Sequence, residues 1–336
     1  MSTYVESAIC GYLKEVIFPQ FAPPPYGDIE ITSLGAQKPV YLFLERERNI
    51  MVVGKLFKYG IITLEEAWLE ADKEYANLKL LHEMLGDKVD GDNVVTPLGE
   101  NRDLSALLVV ERAPGLTLDF FLVKAIFEQQ DGQLFDVLSQ LARFLVKLHE
   151  TCKTERPLSS ELPRLYLNGL LDSLSKGPLE PLSRASIEKY AIQWWNMETV
   201  FCSDKETIVH GDATTTNFLF DRGNVTAIDL QDMKWADRCW DLGFISAELK
   251  HNFMWRTGSG QAAEPFIGHF LWEYAMDYGN TNFFYIITRK IPLYMAIGLL
   301  RIARNLYLDE SYREHLILEA KRCLKYGLSS LTATVH

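Results

Sequence analysis

The stretch His210-Gly211-Asp212-Ala213-Thr214-Thr215-Thr216-Asn217, followed a dozen residues later by Ile228-Asp229, constrains this chain more than any other. It reads as a polar loop between short apolar runs, 207–209 before it and 218–220 after it, with a further run over 225–228. The runs on either side of Asp221-Arg222-Gly223-Asn224 predict a hairpin with a four-residue loop. In that register Phe220 faces Val225, Leu219 faces Thr226, Phe218 faces Ala227 and Asn217 faces Ile228. Asp229 then falls beside Asn217, and Asp212 lies five residues before Asn217.

An amide oxygen and a carboxylate side by side suit Mg²⁺, which takes hard oxygen ligands at about 2.0–2.1 Å and keeps water or phosphate oxygens in its other positions. A third carboxylate held off the metal can orient an attacking hydroxyl and accept its proton. Asn217 and Asp229 are therefore the expected metal ligands and Asp212 the expected catalytic base, the division of labour of kinase-type phosphoryl transfer. Taken singly, each of the three is better explained as a turn or capping residue. Their joint spacing on a hairpin favours the metal site.

His210-Gly211-Asp212 with Asn217, Ile228-Asp229, Ala236-Asp237 and Trp240-Asp241-Leu242-Gly243 resembles the pattern of the aminoglycoside phosphotransferases. Choline kinases and other small-molecule kinases share that protein-kinase-like fold. The resemblance implies an α+β, two-lobed fold: an N-terminal antiparallel five-stranded sheet plus a helix, and a larger, mainly helical C-terminal lobe. It also implies ATP or GTP as phosphoryl donor, Mg²⁺ as cofactor, and a small hydroxylated acceptor, cationic or sugar-like. Asp237 and Asp241 would brace the catalytic loop by hydrogen bonds. Gly211 stands where protein kinases carry Arg, and neither D-F-G nor A-P-E follows, which disfavours a protein substrate. Asp232 is a candidate second metal ligand or acceptor contact. The rival to catalysis is a silent nucleotide-binding scaffold of the same fold.

At 336 residues the chain exceeds one ordinary core, and the expected division is an N-terminal flap over 1–25, a nucleotide-binding lobe over 26–112 and a catalytic and acceptor lobe over 113–336. The flap is a short amphipathic helix over 4–18, set off by Pro23-Pro24-Pro25. Strands are expected over 29–34, 40–44, 49–57, 94–98 and 104–111, with a helix over 64–84. Lys55 is a single cation within an apolar strand and needs a partner, because desolvating it alone costs several kcal/mol. Glu74 shares a helix stripe with Leu78 and Leu81 and matches the glutamate that braces such a lysine in the related kinases; Glu70 competes one turn earlier. The link from Ser33 through Gly35 to Lys38 sits where kinases fold a phosphate-covering loop, which makes Ser33 and Gly35 weak nucleotide contacts and a plain turn the simpler account. The segment 110–115 resembles the hinge between lobes, where the Glu111 carbonyl and the Ala113 N–H would read an adenine.

Beyond the hinge, Leu134, Leu138, Leu141, Leu145 and Leu148 mark one buried helix stripe, with His149 at its end expected to be structural. Helices over 262–278, 283–306 and 311–326 complete the chain. A net charge of −11, from 34 Lys plus Arg against 45 Asp plus Glu, disfavours nucleic acid and anionic membranes. The five scattered cysteines read as reduced thiols in a cytoplasm, and the apolar run over 291–300 is too short to span a bilayer.

Overall fold

The computed structural model describes residues 3–35, 39–85, 93–197 and 204–333, which divide into two units. Unit 1 comprises Met1–Gly115 and Thr226–Asp232; unit 2 comprises Leu116–Val225 and Met233–His336.

Unit 1 is built on a five-stranded sheet in which every pairing is antiparallel: β1 (Ile29–Ser33), β2 (Val40–Glu45), β3 (Ile50–Leu56), β5 (Pro97–Asn101) and β6 (Leu107–Glu111), in the order β1-β2-β3-β6-β5. Along β3, alternate residues are fully buried and half-buried, so Lys55 shares the half-buried face with Met51 and Val53. Helix α2 (Leu64–Leu85) buries Ala67, Ala71, Glu74, Leu78 and Leu81, the stripe expected from its spacing. The fourth strand of the sheet starts three residues later than expected. Asn93–Val94 instead form β4, pairing in parallel with Thr226 and Ala227 at the end of β11 (Asn224–Ala227).

The N-terminal segment is not a flap outside the fold. Helix α1 (Thr3–Tyr12) and the turns after it send Ile9, Leu13, Ile17 and Phe18 into one core with Phe43, Val52, Leu107 and Val109. The Tyr12 hydroxyl donates to the Glu100 carbonyl at 3.0 Å. Gly99 leaves room for this contact, since a Cβ there would stand 2.9 Å from Ile17 Cδ1. Four apolar residues outweigh the proline break as a predictor of where the segment goes.

In unit 2, β7 (Leu116–Thr117) pairs with β10 (Phe218–Asp221), and a second, antiparallel sheet runs β12 (Lys234–Ala236), β9 (Lys205–Val209), β8 (Lys153–Pro157). The loop between β10 and β11 is two residues long, not four: Arg222 (φ 48°) and Gly223 (φ 88°) are both left-handed, as a type I′ turn requires. Around these strands pack α3 (Leu118–Glu128), α4 (Asp131–Thr151), α5 (Glu161–Leu174), α6 (Pro181–Trp195), α7 (Cys239–Thr257), α8 (Glu264–Asp277), α9 (Thr281–Thr288), α10 (Ile291–Ala303) and α11 (Glu310–Ala333). The leucine stripe of α4 is buried throughout. The single helix expected over 283–306 is broken at Arg289-Lys290, and Pro292 starts α10, where its missing N–H costs nothing.

Helices α7 and α10 meet almost backbone to backbone. A Cβ on Gly243 would lie 2.8 Å from the Tyr294 carbonyl carbon, and one on Gly298 would lie 2.6 Å from Ala247 Cβ. Gly243→Ala therefore forces two helices apart in a close-packed core and is expected to lower unfolding stability by about 1–3 kcal/mol. Chemical denaturation reads this directly, and an unchanged midpoint would contradict the close approach. Among the described residues no single helix is long and apolar enough to cross a membrane. The four described cysteines are free; Cys202 lies outside the described residues.

Candidate active site

Each unit carries part of the expected constellation. In unit 1, Lys55 Nζ on β3 donates to Glu74 Oε1 on α2 at 2.5 Å and to Asp229 Oδ1 at 3.3 Å. Glu74 is fully buried, and Glu70 loses the competition for the lysine. Burial pulls the Lys55 amine down, but Glu74 and then Asp229 outweigh it and hold its pKa above the ordinary lysine value. The charge is thus kept, and kept at one place. Asp229 has a left-handed backbone (φ 64°), which turns the chain straight after β11. Asn77, one turn beyond Glu74 on α2, donates to the Leu230 carbonyl at 2.8 Å and pins the residue that follows Asp229. A recess lined by Val40, Lys55, Phe57, Tyr59, Asp229 and Gln231 opens beside the lysine.

The weaker candidates of unit 1 fare differently. The Ser33 hydroxyl donates to the Gly35 carbonyl at 3.3 Å and so closes its own turn; Ala36, Gln37 and Lys38 lie outside the described residues. At the end of β6, Glu111 exchanges backbone and side-chain bonds with Thr96: its N–H donates to the Thr96 carbonyl at 2.9 Å, and its Oε1 accepts from the Thr96 N–H at 3.1 Å. Ala113 follows in the short connection to Gly115.

In unit 2 the loop from His210 to Asn217 is held by one buried carboxylate. Asp241 Oδ2 accepts from the His210 N–H at 2.7 Å, and its Oδ1 accepts from the Gly211 N–H at 3.0 Å. His149 Nε2 lies 3.1 Å from Asp241 Oδ2, and its Nδ1 lies 2.8 Å from the Tyr274 hydroxyl, which takes a bond from Arg238 Nη1 at 3.2 Å. Burial pushes the Asp241 carboxyl up, but the His149 contact, the His210 ring and the backbone donors outweigh it and hold the group low. His149 is buried, and its pKa is driven below the ordinary imidazole value. The Trp240 indole N–H donates to the Gly211 carbonyl at 3.1 Å, and Gly211 takes φ 83°, a conformation that glycine adopts without strain. His149 is structural, as expected, and Asp241 braces the loop. Asp237 does not: it pairs with the buried Lys290 at 2.6 Å and caps α7 through the Cys239 N–H at 3.0 Å.

The loop brings Asp212 and Asn217 together. The Asn217 amide nitrogen donates to the Asp212 carbonyl at 2.9 Å and to Asp212 Oδ2 at 3.3 Å. The amide oxygen accepts from the Thr216 hydroxyl at 3.4 Å. Asn217 belongs to unit 2 and Asp229 to unit 1. Among the described residues no group of three or more His, Cys, Asp or Glu could hold a metal by itself.

One partner of Asp212 escaped sequence reasoning. Arg301, near the end of α10, makes an ion pair with Asp212 Oδ1, and its other terminal nitrogen lies 3.5 Å from Glu248 Oε1 on α7. Glu248 is pushed up to about 7, first by burial, with Arg301 pulling it down and Asp212 and Asp119 adding to the rise. The contact between Arg301 and Asp212 spans 89 positions, and no local pattern announces it.

The family model described as "Phosphotransferase enzyme family" matches residues 66–276. The chain belongs to the phosphotransferase enzyme family. Comparison with curated protein sequences finds no match for this phosphotransferase. Its fold is shared with several solved structures. The streptomycin–ATP–APH(2'')-IIa ternary complex aligns with a TM-score of 0.58 and 14% identity, over 99% of this chain and 96% of that one. The ethanolamine kinase of Plasmodium vivax aligns with a TM-score of 0.58 and 12% identity, over 100% and 89%. The choline kinase of Cryptosporidium parvum aligns with a TM-score of 0.58 and 10% identity, over 98% and 96%. At these identities the likeness speaks for the fold.

Proposed function

We propose that this phosphotransferase is an ATP- and Mg²⁺-dependent kinase that moves the γ-phosphoryl group to a hydroxyl of a small molecule. The observation that carries this is the Lys55 ammonium held between Glu74 and Asp229 beside an open recess in unit 1. A buried carboxylate that locks a strand lysine at the edge of a recess keeps its charge in place to meet an anion. Lys55 steadies the α- and β-phosphates, the Glu111 carbonyl and Ala113 N–H read the adenine edge, and Ser33 and Gly35 shape the turn over the phosphates. Asp229 and Asn217 are the residues that would each give an oxygen to Mg²⁺. Bound Mg²⁺ supplies charge neutralisation at the phosphate oxygens. In unit 2, Asp212 orients the acceptor hydroxyl and takes its proton, while Asp241 and Trp240 keep the loop in place. Positioning and electrostatics account for nearly all the rate gain in such chemistry.

A thermal-shift titration with Mg²⁺ and ATP tests this first. Ligand at 100 times its dissociation constant is expected to add about 2.7 kcal/mol to stability, and little without the metal. A panel of hydroxylated metabolites and antibiotics is then screened for acceptor-dependent ADP release. No stabilisation by ATP with Mg²⁺ would remove the nucleotide site, and stabilisation without transfer to any alcohol would leave a nucleotide-binding scaffold.

A further inference from the structure

Arg301 is the one feature beside the catalytic carboxylate that phosphoryl transfer does not itself call for. Its guanidinium is held from three sides within unit 2: by Asp212, by Glu248 Oε1 at 3.5 Å, and by the Phe244 ring, whose centroid lies 5.7 Å from its Cζ. Phe244 and Glu248 are one turn apart on α7, and Gly298, one turn before Arg301 on α10, packs against Ala247 of α7. The close crossing of the two helices therefore fixes the root of the arginine as well as its head. A planar guanidinium held in this way is a built part of the site, with a smaller entropy cost than a long lysine would carry.

The charge balance around Asp212 follows from this. A second guanidinium, Arg256, pairs with Asp119 at 2.8 Å, and Asp119 in turn acts electrostatically on Glu248. Two arginines thus stand against the carboxylates Asp119, Asp212 and Glu248, and burial pushes the Glu248 carboxyl up, to about 7. The chain is acidic overall, at −11, yet here each of the three carboxylates already faces a guanidinium. An alcohol whose ammonium or quaternary nitrogen sits two or three bonds from its hydroxyl would have to bring that charge to where the Arg301 guanidinium already is. Like charges so close repel, and the carboxylates that would welcome the newcomer are taken.

We propose that the acceptor of this enzyme is an uncharged or anionic alcohol, and that Arg301 is the residue that sets this preference by occupying the cation position next to Asp212. This rests on the phosphotransfer reading above and narrows it. Arg301 determines specificity; the proton goes to Asp212.

The test uses isosteric acceptor pairs that differ in charge: choline against 3,3-dimethyl-1-butanol, and glucosamine against glucose. Acceptor-dependent ADP release is measured for the wild-type protein and for Arg301→Met, Arg301→Gln and Arg301→Lys. The wild type is expected to favour the neutral member in kcat/KM by at least about 10-fold, since one charge repulsion of this kind exceeds 1.4 kcal/mol. Arg301→Met and Arg301→Gln are expected to gain turnover of the cationic members and move the ratio by about 10-fold or more; Arg301→Lys keeps the wild-type ratio. A merely structural arginine would lower both members alike. The proposal is overturned if the wild type prefers the cationic member, or if neither uncharged variant gains cationic turnover while still being stabilised by ATP with Mg²⁺. Loss of that stabilisation in the wild type would instead strike the phosphotransfer reading, and this inference with it. Two uncharged variants of different polarity guard against one that fails to fold.

Discussion

Asp212→Asn is expected to lower acceptor-dependent turnover by about 10²–10⁴-fold, the range for removing a positioned general base, while leaving nucleotide binding in place. The substitution keeps a side-chain oxygen to accept from the Asn217 amide at the 3.3 Å contact, so the loop has no reason to move. What it removes is the capacity to take a proton and the charge facing Arg301. Asp229→Ala should behave in the opposite way: it deletes an oxygen ligand and one partner of Lys55, and metal-dependent nucleotide binding is lost before turnover can be asked about. Thermal shift with Mg²⁺ and ATP, set beside single-turnover ADP formation, separates the two variants. Equal losses of nucleotide affinity in both would contradict the roles assigned to them.

The parts of this site that were legible in the sequence are those whose partners are fixed by a local period. Lys55 stands out because a strand alternates, and Glu74 because a helix repeats; the pairing across 19 positions then needs only the sheet and the helix to pack. Asp212 and Asn217 are joined by a five-residue loop, which local chemistry alone can close. Arg301 could not be found this way, since it ends an apolar helix that could have met any neighbour, and its place is decided by Gly243 and Gly298 letting α10 against α7. Gly243 had been visible as the last residue of the Trp240-Asp241-Leu242-Gly243 motif, but the reason for glycine there lies in a helix fifty residues further on. The Pro23-Pro24-Pro25 run misled for a related reason. Proline marks a break in the backbone, and the core contacts of Ile9, Leu13, Ile17 and Phe18 lie beyond it. Asp237 misled because a carboxylate four residues from Asp241 looks equivalent in sequence, while in space Lys290 claims it.

Asp241→Ala is expected to be the most damaging single change to stability, and the loss of turnover should follow from it. The fully buried carboxylate holds two consecutive backbone N–H groups and one imidazole, and deleting it removes that acceptor from all three. Breaking a buried charged network by removing one member costs about 3–5 kcal/mol, a large share of the 5–15 kcal/mol that holds a typical domain folded. The pH dependence carries a sign that checks the assignment. Because its pKa is held low in the folded protein, Asp241 contributes stability that is fully present above the unfolded carboxylate value of about 3.9 and is lost as pH falls through the lower folded value. The gap in stability between wild type and Asp241→Ala should therefore be constant from neutral pH down to about 5 and narrow only in stronger acid. Urea denaturation of both proteins across that range measures it. A gap that opened as pH fell would mean that Asp241 is protonated in the folded state and that the His210 and Gly211 amides are held by a neutral acid, which accepts more weakly than a carboxylate.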